Sequence, residues 1–209
     1  MREKVLKKIR NASVKGMSKT EVPDYESKIK LFHYPEASLI ETFAKEFNKI
    51  NGKFVFCPNK FDMVSQLKQL IQANKWKNVY CTEEKIRYIL NDTSIKYKYD
   101  LTEYTDADVS ITSCDALVAR TGSILVSTAM DKPRKLSVFP PVHIVIAYYD
   151  QIYFDVENAL KIFKDKHTSA YPSMMSIISG PSRTADIEKT LVLGAHGPKD
   201  IYCFFVNDR

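Results

Sequence analysis

Short apolar runs of strand length alternate along this chain with segments whose apolar residues recur at helical spacing. We predict strands over Lys53–Cys57, Asn78–Cys81, Ile95–Leu101, Val109–Thr112, Ser123–Thr128, Val142–Tyr148, Met174–Ile178 and Ile201–Val206. We predict helices over Glu36–Asn51, Lys60–Asn74, Asp155–Lys164 and, capped by Thr82, over a segment that ends at Leu90. Because several strands are apolar throughout, helices must cover both faces of the sheet that they form. The fold class is therefore α/β, a three-layer α/β/α domain with a mainly parallel sheet.

The first 30 residues differ from the rest of the chain in charge and in pattern. They hold nine Lys and Arg but four Asp and Glu, so they carry most of the net charge of +6. Val5, Leu6 and Ile9 recur at helical spacing, which predicts a short amphipathic helix over residues 2–11, followed by a linker. We therefore divide the chain into an N-terminal helical arm with its linker, residues 1–30, and an α/β domain, residues 31–209. The arm is too small to fold alone and must dock on its own body or on another copy in a homo-oligomer.

Charge and hydropathy exclude several classes of function. Outside the arm the chain is close to neutral, whereas nucleic-acid-binding domains carry their basic surface on the folded body, so we expect no nucleic-acid partner. The longest apolar runs are of strand length, which predicts no membrane span. No apolar stretch follows the basic residues at the N-terminus, so we expect no secretory signal and a cytoplasmic location.

The four cysteines, Cys57, Cys81, Cys114 and Cys203, stand far apart and form no Cys-x-x-Cys pair. Each lies in or beside an apolar strand pattern, where a free cysteine behaves as a small hydrophobic residue. We therefore predict buried thiols and no iron–sulfur cluster. No spacing of His, Asp and Glu indicates a metal site, and the chain has no dinucleotide loop, Walker loop or nucleophile elbow. We expect neither a metal nor a cofactor.

A candidate anion site follows the predicted strand Met174–Ile178. Gly180-Pro181 ends this strand, and Ser182 or Thr184 is placed to cap a helical turn whose free backbone N–H groups favour an anion. Arg183 offers a planar guanidinium for a carboxylate or a phosphate. The candidate ligand-binding residues of this loop are Ser179, Gly180, Ser182, Arg183 and Thr184. The alternative is an ordinary helix cap with a solvated arginine.

Two titratable residues near this loop, Glu188 and His196, are candidate catalytic residues. His196 stands between glycines, where a ligand can approach the backbone closely. His143 opens a strong strand and is instead predicted to be a hydrogen-bonded core or edge residue.

Two further loops carry residues suited to an anion. In an open α/β sheet, ligands bind at the loops that leave the carboxyl ends of the strands. The loop after Val109–Thr112 contains Ser113-Cys114-Asp115 and leads to the candidates Arg120, Thr121 and Gly122, and the loop Thr128–Ser137 contains the candidate Arg134. Convergence of Arg120, Arg134 and Arg183 would form an anion pocket. Alternatively, each arginine is a solvated surface side chain.

Four segments carry a resemblance to a known family. They are residues 179–188 (SGPSRTADIE), 191–198 (LVLGAHGP), 116–123 (ALVARTGS) and 136–145 (LSVFPPVHIV). In these segments the chain resembles the lactate-utilisation protein C family, the LUD domain, over roughly residues 30–209. The resemblance implies a fold related to ribose-5-phosphate isomerase, glucosamine-6-phosphate isomerase and the CoA-transferases.

The resemblance implies one function, and the fold leaves a second one open. The first is a non-redox component of cytoplasmic L-lactate oxidation to pyruvate, which acts with iron–sulfur partner proteins and binds a small carboxylate or phosphate. The alternative is a stand-alone isomerase or CoA-transferase-like enzyme for a phosphosugar or an acyl-CoA. In that case Glu188 is the base or nucleophile and Arg183 clamps the anion.

Overall fold

The computed structural model describes residues 3–4, 36–100, 104–129, 133–168, 171–185 and 191–208. The chain divides into two units, Met1–Tyr34 and Pro35–Arg209. In the first unit the described residues are Glu3 and Lys4, which are helical. The rest of the predicted arm lies outside the described residues.

The described part of the second unit contains four α-helices and eleven strands. The helices are α1 (Leu39–Lys49), α2 (Lys60–Ala73), α3 (Glu84–Asn91) and α4 (Val156–Lys166). The strands are β1 (Lys53–Cys57), β2 (Val79–Tyr80), β3 (Val109–Ser113), β4 (Ala116–Val118), β5 (Ser123–Ser127), β6 (Val142–Tyr148), β7 (Ile152–Tyr153), β8 (Met175–Ile178), β9 (Arg183–Ala185), β10 (Leu191–Leu193) and β11 (Asp200–Val206). Short 3-10 turns lie at Tyr104–Asp106, Ala119–Thr121 and Tyr149–Gln151. None of the described helices has the length and apolar character that crossing a bilayer requires.

Five of the strands form a parallel sheet in the order β1-β11-β6-β3-β2. Every neighbouring pair in it is parallel, so all five carboxyl ends lie along one edge. A second sheet, in the order β7-β4-β5-β8, is mixed: β4 runs parallel to β7 and antiparallel to β5, and β5 runs antiparallel to β8. Strands β9 and β10 form an antiparallel hairpin.

Alternate residues of β6 show how both faces of the parallel sheet are covered. Ile144 shares a buried cluster with Leu67 of α2 and Leu90 of α3. Its neighbour Val145 points to the other face and packs in a second cluster with Phe47 of α1. Helices therefore cover both faces, and the predicted three-layer α/β/α fold is confirmed.

The second sheet lies on the α1 side of the parallel sheet. Ile124 of β5 belongs to the same cluster as Phe47, while Leu125 faces the opposite way and packs with Phe163 of α4. The sequence did not predict this sheet as a separate layer. Strands β4 and β7 are only three and two residues long, too short to produce a periodic pattern.

Two predictions for the segments on either side of α3 are wrong. The N-cap position of α3 is held by Glu83 and not by Thr82, and the Glu83 carboxylate binds the end of β3 and not the helix. In the predicted strand Ile95–Leu101, the described residues make a single bridge, between Lys98 and Tyr80. The partner strand β2 is only two residues long, so it offers too little backbone for a longer ladder.

The prediction of buried thiols is confirmed, since all four cysteines are free and buried. Burial raises the pKa of both Cys57 and Cys81 to about 12. These thiols therefore remain protonated near neutral pH and are poor nucleophiles.

Candidate functional site

The carboxyl ends of the parallel strands border a cleft of about 550 Å³. The loops after β1, β2, β3 and β6 supply its lining, which consists of Lys60, Glu83, Glu84, Lys85, Ile86, Ser113, Cys114, Tyr148 and Gln151. We call this the carboxyl-edge cleft. Ligands of open α/β sheets bind at this edge, so the cleft is the candidate functional site.

Glu83 is the buried acid of the cleft, with 7% of its surface exposed. Its Oε1 accepts a hydrogen bond from the Ser113 backbone N–H at 2.7 Å, and its Oε2 accepts one from the Ser113 hydroxyl. These two bonds join the loop after β2 to the end of β3. They also hold the carboxylate in a fixed position at the wall of the cleft.

Lys60 supplies a positive charge on another side of the cleft. It is the first residue of α2, and its Nζ lies 2.8 Å from a carboxylate oxygen of Asp208, beyond the end of β11. The hydrogen bond to Asp208 raises the pKa of Lys60, so the ammonium stays charged. The partial positive charge of the α2 N-terminus adds to it.

The remaining wall is braced by Gln151, in the turn after β6. Its Nε2 donates to the Cys114 carbonyl at 2.7 Å, and its Oε1 accepts from the Tyr148 backbone N–H at 2.7 Å. Burial raises the pKa of the neighbouring Tyr148 phenol, which therefore stays protonated. The two hydrogen bonds of Gln151 therefore hold the loop after β3 against the end of β6.

Among the candidate ligand-binding and catalytic residues that the structure describes, none lines this cleft. The loop Ser113-Cys114-Asp115, which the sequence singled out by its position after a strand, does contribute Ser113 and Cys114. Glu83 and Lys60 were missed. Their positions in the sequence could have identified them, because Glu83 comes shortly after the predicted strand Asn78–Cys81 and Lys60 shortly after Lys53–Cys57.

Four of the predicted residues instead belong to a cluster near the end of helix α1. The Arg183 guanidinium donates from Nη2 to the Ile50 carbonyl at 2.6 Å, and Ser179 Oγ lies 2.8 Å from Ser123 Oγ. Gly180 has a φ of +87°, and a Cβ there would meet the Ile50 carbonyl oxygen at 2.4 Å. We call Ser123, Ser179, Gly180, Ser182 and Arg183 the helix-end cluster.

The predicted helical turn after Gly180-Pro181 does not form, because Arg183–Ala185 is strand β9. The Ser182 backbone N–H donates to the Pro198 carbonyl, and the Ser182 carbonyl accepts from the Gly194 N–H, both at 2.9 Å. These contacts to the second arm of the hairpin replace the helical bonds. Thr184 pairs with Val192 across the same hairpin. His196 is exposed in the turn that follows β10, and Glu188 lies outside the described residues.

Arg120, Thr121 and Gly122 lie in and after the 3-10 turn that packs against α1. The Arg120 backbone N–H donates to the Phe154 carbonyl at 2.9 Å. Gly122 has a φ of +61°, and a Cβ there would meet the Phe47 backbone nitrogen at 2.3 Å. The backbone of this turn therefore approaches the helix closely at Gly122.

Arg134 is not brought together with Arg183. Its Nη2 donates to Ser173 Oγ at 2.7 Å, before the start of β8, whereas the helix-end cluster begins at Ser179, after the end of β8. An extended strand rises about 3.3 Å per residue, which separates these two points by roughly 20 Å. The predicted three-arginine pocket is therefore not present.

The helix-end cluster and the carboxyl-edge cleft lie at opposite edges of the parallel sheet. Ile50 leads into the start of β1, and Pro198 leads into the start of β11. The cluster therefore borders the amino ends of the strands. The loop after β8 does not reach the carboxyl edge because β8 belongs to the mixed second sheet.

Comparisons with known proteins give a consistent result. Residues 40–206 match the family model of the LUD domain. The chain is 27% identical to an uncharacterised protein of Neisseria meningitidis serogroup B, over 96% of this chain and 91% of that protein. It is 26% identical to the lactate utilization protein C of Anoxybacillus flavithermus, over 84% of each chain. The Bacillus subtilis protein of the same name is 32% identical over 49% of this chain and 44% of that protein.

A solved structure shares the fold. The crystal structure of a DUF162 family protein from Deinococcus radiodurans superposes with a TM-score of 0.61 at 16% identity, and the match covers 83% of this chain and 99% of that chain. At this identity the likeness concerns the fold, since one fold hosts many functions.

Proposed function

The chain belongs to the LUD domain family, and from that premise we propose that it is a component of L-lactate utilisation. The observation that carries the proposal is the match over 84% of both chains to a protein named lactate utilization protein C. The match to the LUD domain model, residues 40–206, includes the segments around both the helix-end cluster and the carboxyl-edge cleft.

Within that process we assign this chain a role other than electron transfer. Oxidation of L-lactate to pyruvate removes two electrons and two protons, which require an acceptor. The four cysteines of this chain are buried and free, and burial raises the pKa of Cys57, Cys81 and Cys203, so they are poorly suited to hold a cluster. We therefore propose that partner iron–sulfur proteins accept the electrons.

We further propose that the chain binds a small carboxylate or phosphate at the helix-end cluster. Arg183 is exposed, and a guanidinium has five N–H donors. Donation to the Ile50 carbonyl fixes the side chain and leaves other donors for an anion. Such a fixed guanidinium loses less conformational entropy on binding than a mobile one.

A second candidate function is a stand-alone enzyme of the isomerase or CoA-transferase type. It is favoured by the buried carboxylate of Glu83 in a cleft at the carboxyl edge. Turnover of a phosphosugar or an acyl-CoA by the purified chain alone separates this function from the first.

The partner proposal is tested by purifying the tagged chain without oxygen from host cells grown on L-lactate. We expect iron–sulfur proteins in the eluate, identified by mass spectrometry together with iron and acid-labile sulfide. The matched control is an untagged strain treated in the same way. Recovery of the tagged chain without any iron–sulfur protein, even after chemical cross-linking in cells, would refute the partner proposal.

A further inference from the structure

We infer that the carboxyl-edge cleft binds a hydroxylated organic anion larger than lactate. The inference names the class of ligand for the cleft that the second candidate function uses, and it does not depend on the role in lactate utilisation, whose proposed small anion lies at the helix-end cluster on the opposite edge of the sheet. The inference rests on the size of the cleft, on the hydrogen-bonding capacity of Glu83, and on the placement of Lys60.

The size of the cleft sets the size of its ligand. Its volume of about 550 Å³ falls within the range of small-molecule sites, roughly 300–1,000 Å³. At close packing a non-hydrogen atom occupies roughly 20 Å³, so the six such atoms of lactate would leave most of the cleft unfilled. A ligand of about 10 to 25 non-hydrogen atoms fits it.

The buried acid of the cleft selects for hydrogen-bond donors. A carboxylate has about four lone-pair sites, and Ser113 occupies two of those of Glu83, one on each oxygen. The remaining sites accept hydrogen bonds only. Because Glu83 lines the cleft and is shielded from bulk water, a ligand group placed against it must donate, as a hydroxyl does.

The basic side of the cleft selects for an anion. The Lys60 ammonium has three donors, and the contact to Asp208 uses one of them. Lys85 adds a second positive charge among the lining residues, which balances the exposed carboxylate of Glu84. Between these groups Ile86 and the Tyr148 ring provide an apolar wall for a carbon skeleton.

Calorimetric titration of the full chain with three six-carbon probes tests the inference. Gluconate carries hydroxyls and a carboxylate, hexanoate has the carboxylate alone, and glucitol has the hydroxyls alone. We expect gluconate to bind roughly tenfold or more tightly than either of the others, since each lacks one of the two recognised groups. Equal binding of gluconate and hexanoate, or no binding of gluconate, would overturn the inference.

Matched variants locate the binding. Glu83→Gln should weaken the binding of gluconate but not the binding of hexanoate. Lys60→Gln should weaken the binding of gluconate. Lys68→Gln, on the same helix but outside the cleft, should leave gluconate binding unchanged. Because Lys60 is exposed at the rim, its variant folds even if Glu83→Gln does not, and full-strength binding to it would contradict the inference. Gluconate binding that survives both Glu83→Gln and Lys60→Gln but is lost in Arg183→Ala would place the probe at the helix-end cluster and overturn the inference.

Discussion

Arg183 stands where helix α1 ends, with its positive charge on the carbonyl end of the helix. The contact between Arg183 Nη2 and the Ile50 carbonyl therefore combines a hydrogen bond with a favourable interaction with the helix dipole. Because Arg183 is exposed, this contact contributes only modestly to stability. It also fixes the orientation of the guanidinium, which favours the binding of an anion.

We predict that Arg183→Ala lowers the free energy of unfolding by about 1 kcal/mol and abolishes growth on L-lactate. Arg183→Lys is the matched control, because it keeps the positive charge but not the planar guanidinium. It should keep most of the wild-type stability but little of the growth on L-lactate. Urea unfolding and complementation of a deletion strain measure the two effects. A variant as stable and as active as the wild type would show that Arg183 is a solvated surface residue.

His143 is fully buried in β6, and its Nε2 lies 2.8 Å from Thr112 Oγ1. Its Nδ1 has no hydrogen-bond partner among the described residues. Burial lowers the pKa of His143 from 6.5 to about 4. The unfolded chain therefore binds a proton more readily than the folded chain between these two values, so stability falls as the pH drops below about 6.5.

This pKa difference predicts a loss of about 2 kcal/mol of stability between about pH 7.5 and about pH 5 through this one group. Urea unfolding at both pH values measures it. In His143→Gln that part of the pH dependence should disappear, whereas the exposed His196→Gln should keep it. The same pH dependence in the wild type and in His143→Gln would contradict the assignment.

At the scale of elements, the packing of α1 on the rest of the domain depends on Gly122. Its φ of +61° is unfavourable for any other residue, and an added Cβ would collide with the helix backbone at Phe47. No repacking of side chains relieves a collision with backbone. The helix approaches the turn this closely because Phe43 and Phe47 fill the core between the two sheets.

We expect Gly122→Ala to lower the free energy of unfolding by roughly 2–4 kcal/mol. Gly197→Ala is the control, because a Cβ there would meet only the Ser182 side chain, at 3.0 Å or more, apart from one carbonyl at 4.0 Å. Chemical unfolding of both variants compares them. Similar losses at the two positions would mean that α1 can shift to accommodate the added methyl group.

The bounds of the longer strands are predicted from the sequence more accurately than those of the short ones. Lys53–Cys57 and Val142–Tyr148 are predicted at the bounds that the structure has. The apolar run of β6 is buried over nearly its whole length, whereas β1 is an edge strand in which Cys57 alone is buried. Strand β9 was predicted as a helical turn. It pairs with β10, and the Ser182 backbone just before it binds Pro198 and Gly194, partners later in the chain that no local pattern reveals.

At the scale of the molecule, the rule that ligands bind at carboxyl ends identified the edge that carries the cleft, but not the residues that line it. Glu83 and Ser113 meet only when β2 and β3 lie side by side, and the spacing of 30 residues between them in sequence gives no sign of contact. The family motifs instead mark the helix-end cluster at the opposite edge. Whether those motifs bind a small anion there stays a prediction.

The rate of L-lactate oxidation to pyruvate in cell extracts tests the central claim most directly. The extract of a host strain lacking this chain, supplied with an artificial electron acceptor, should lose most of the parental rate. Adding the purified chain should restore that rate, while the chain without extract should oxidise no lactate. A deletion extract that oxidises L-lactate at the parental rate would contradict a role in lactate utilisation, and lactate oxidation by the chain alone would contradict its non-redox role.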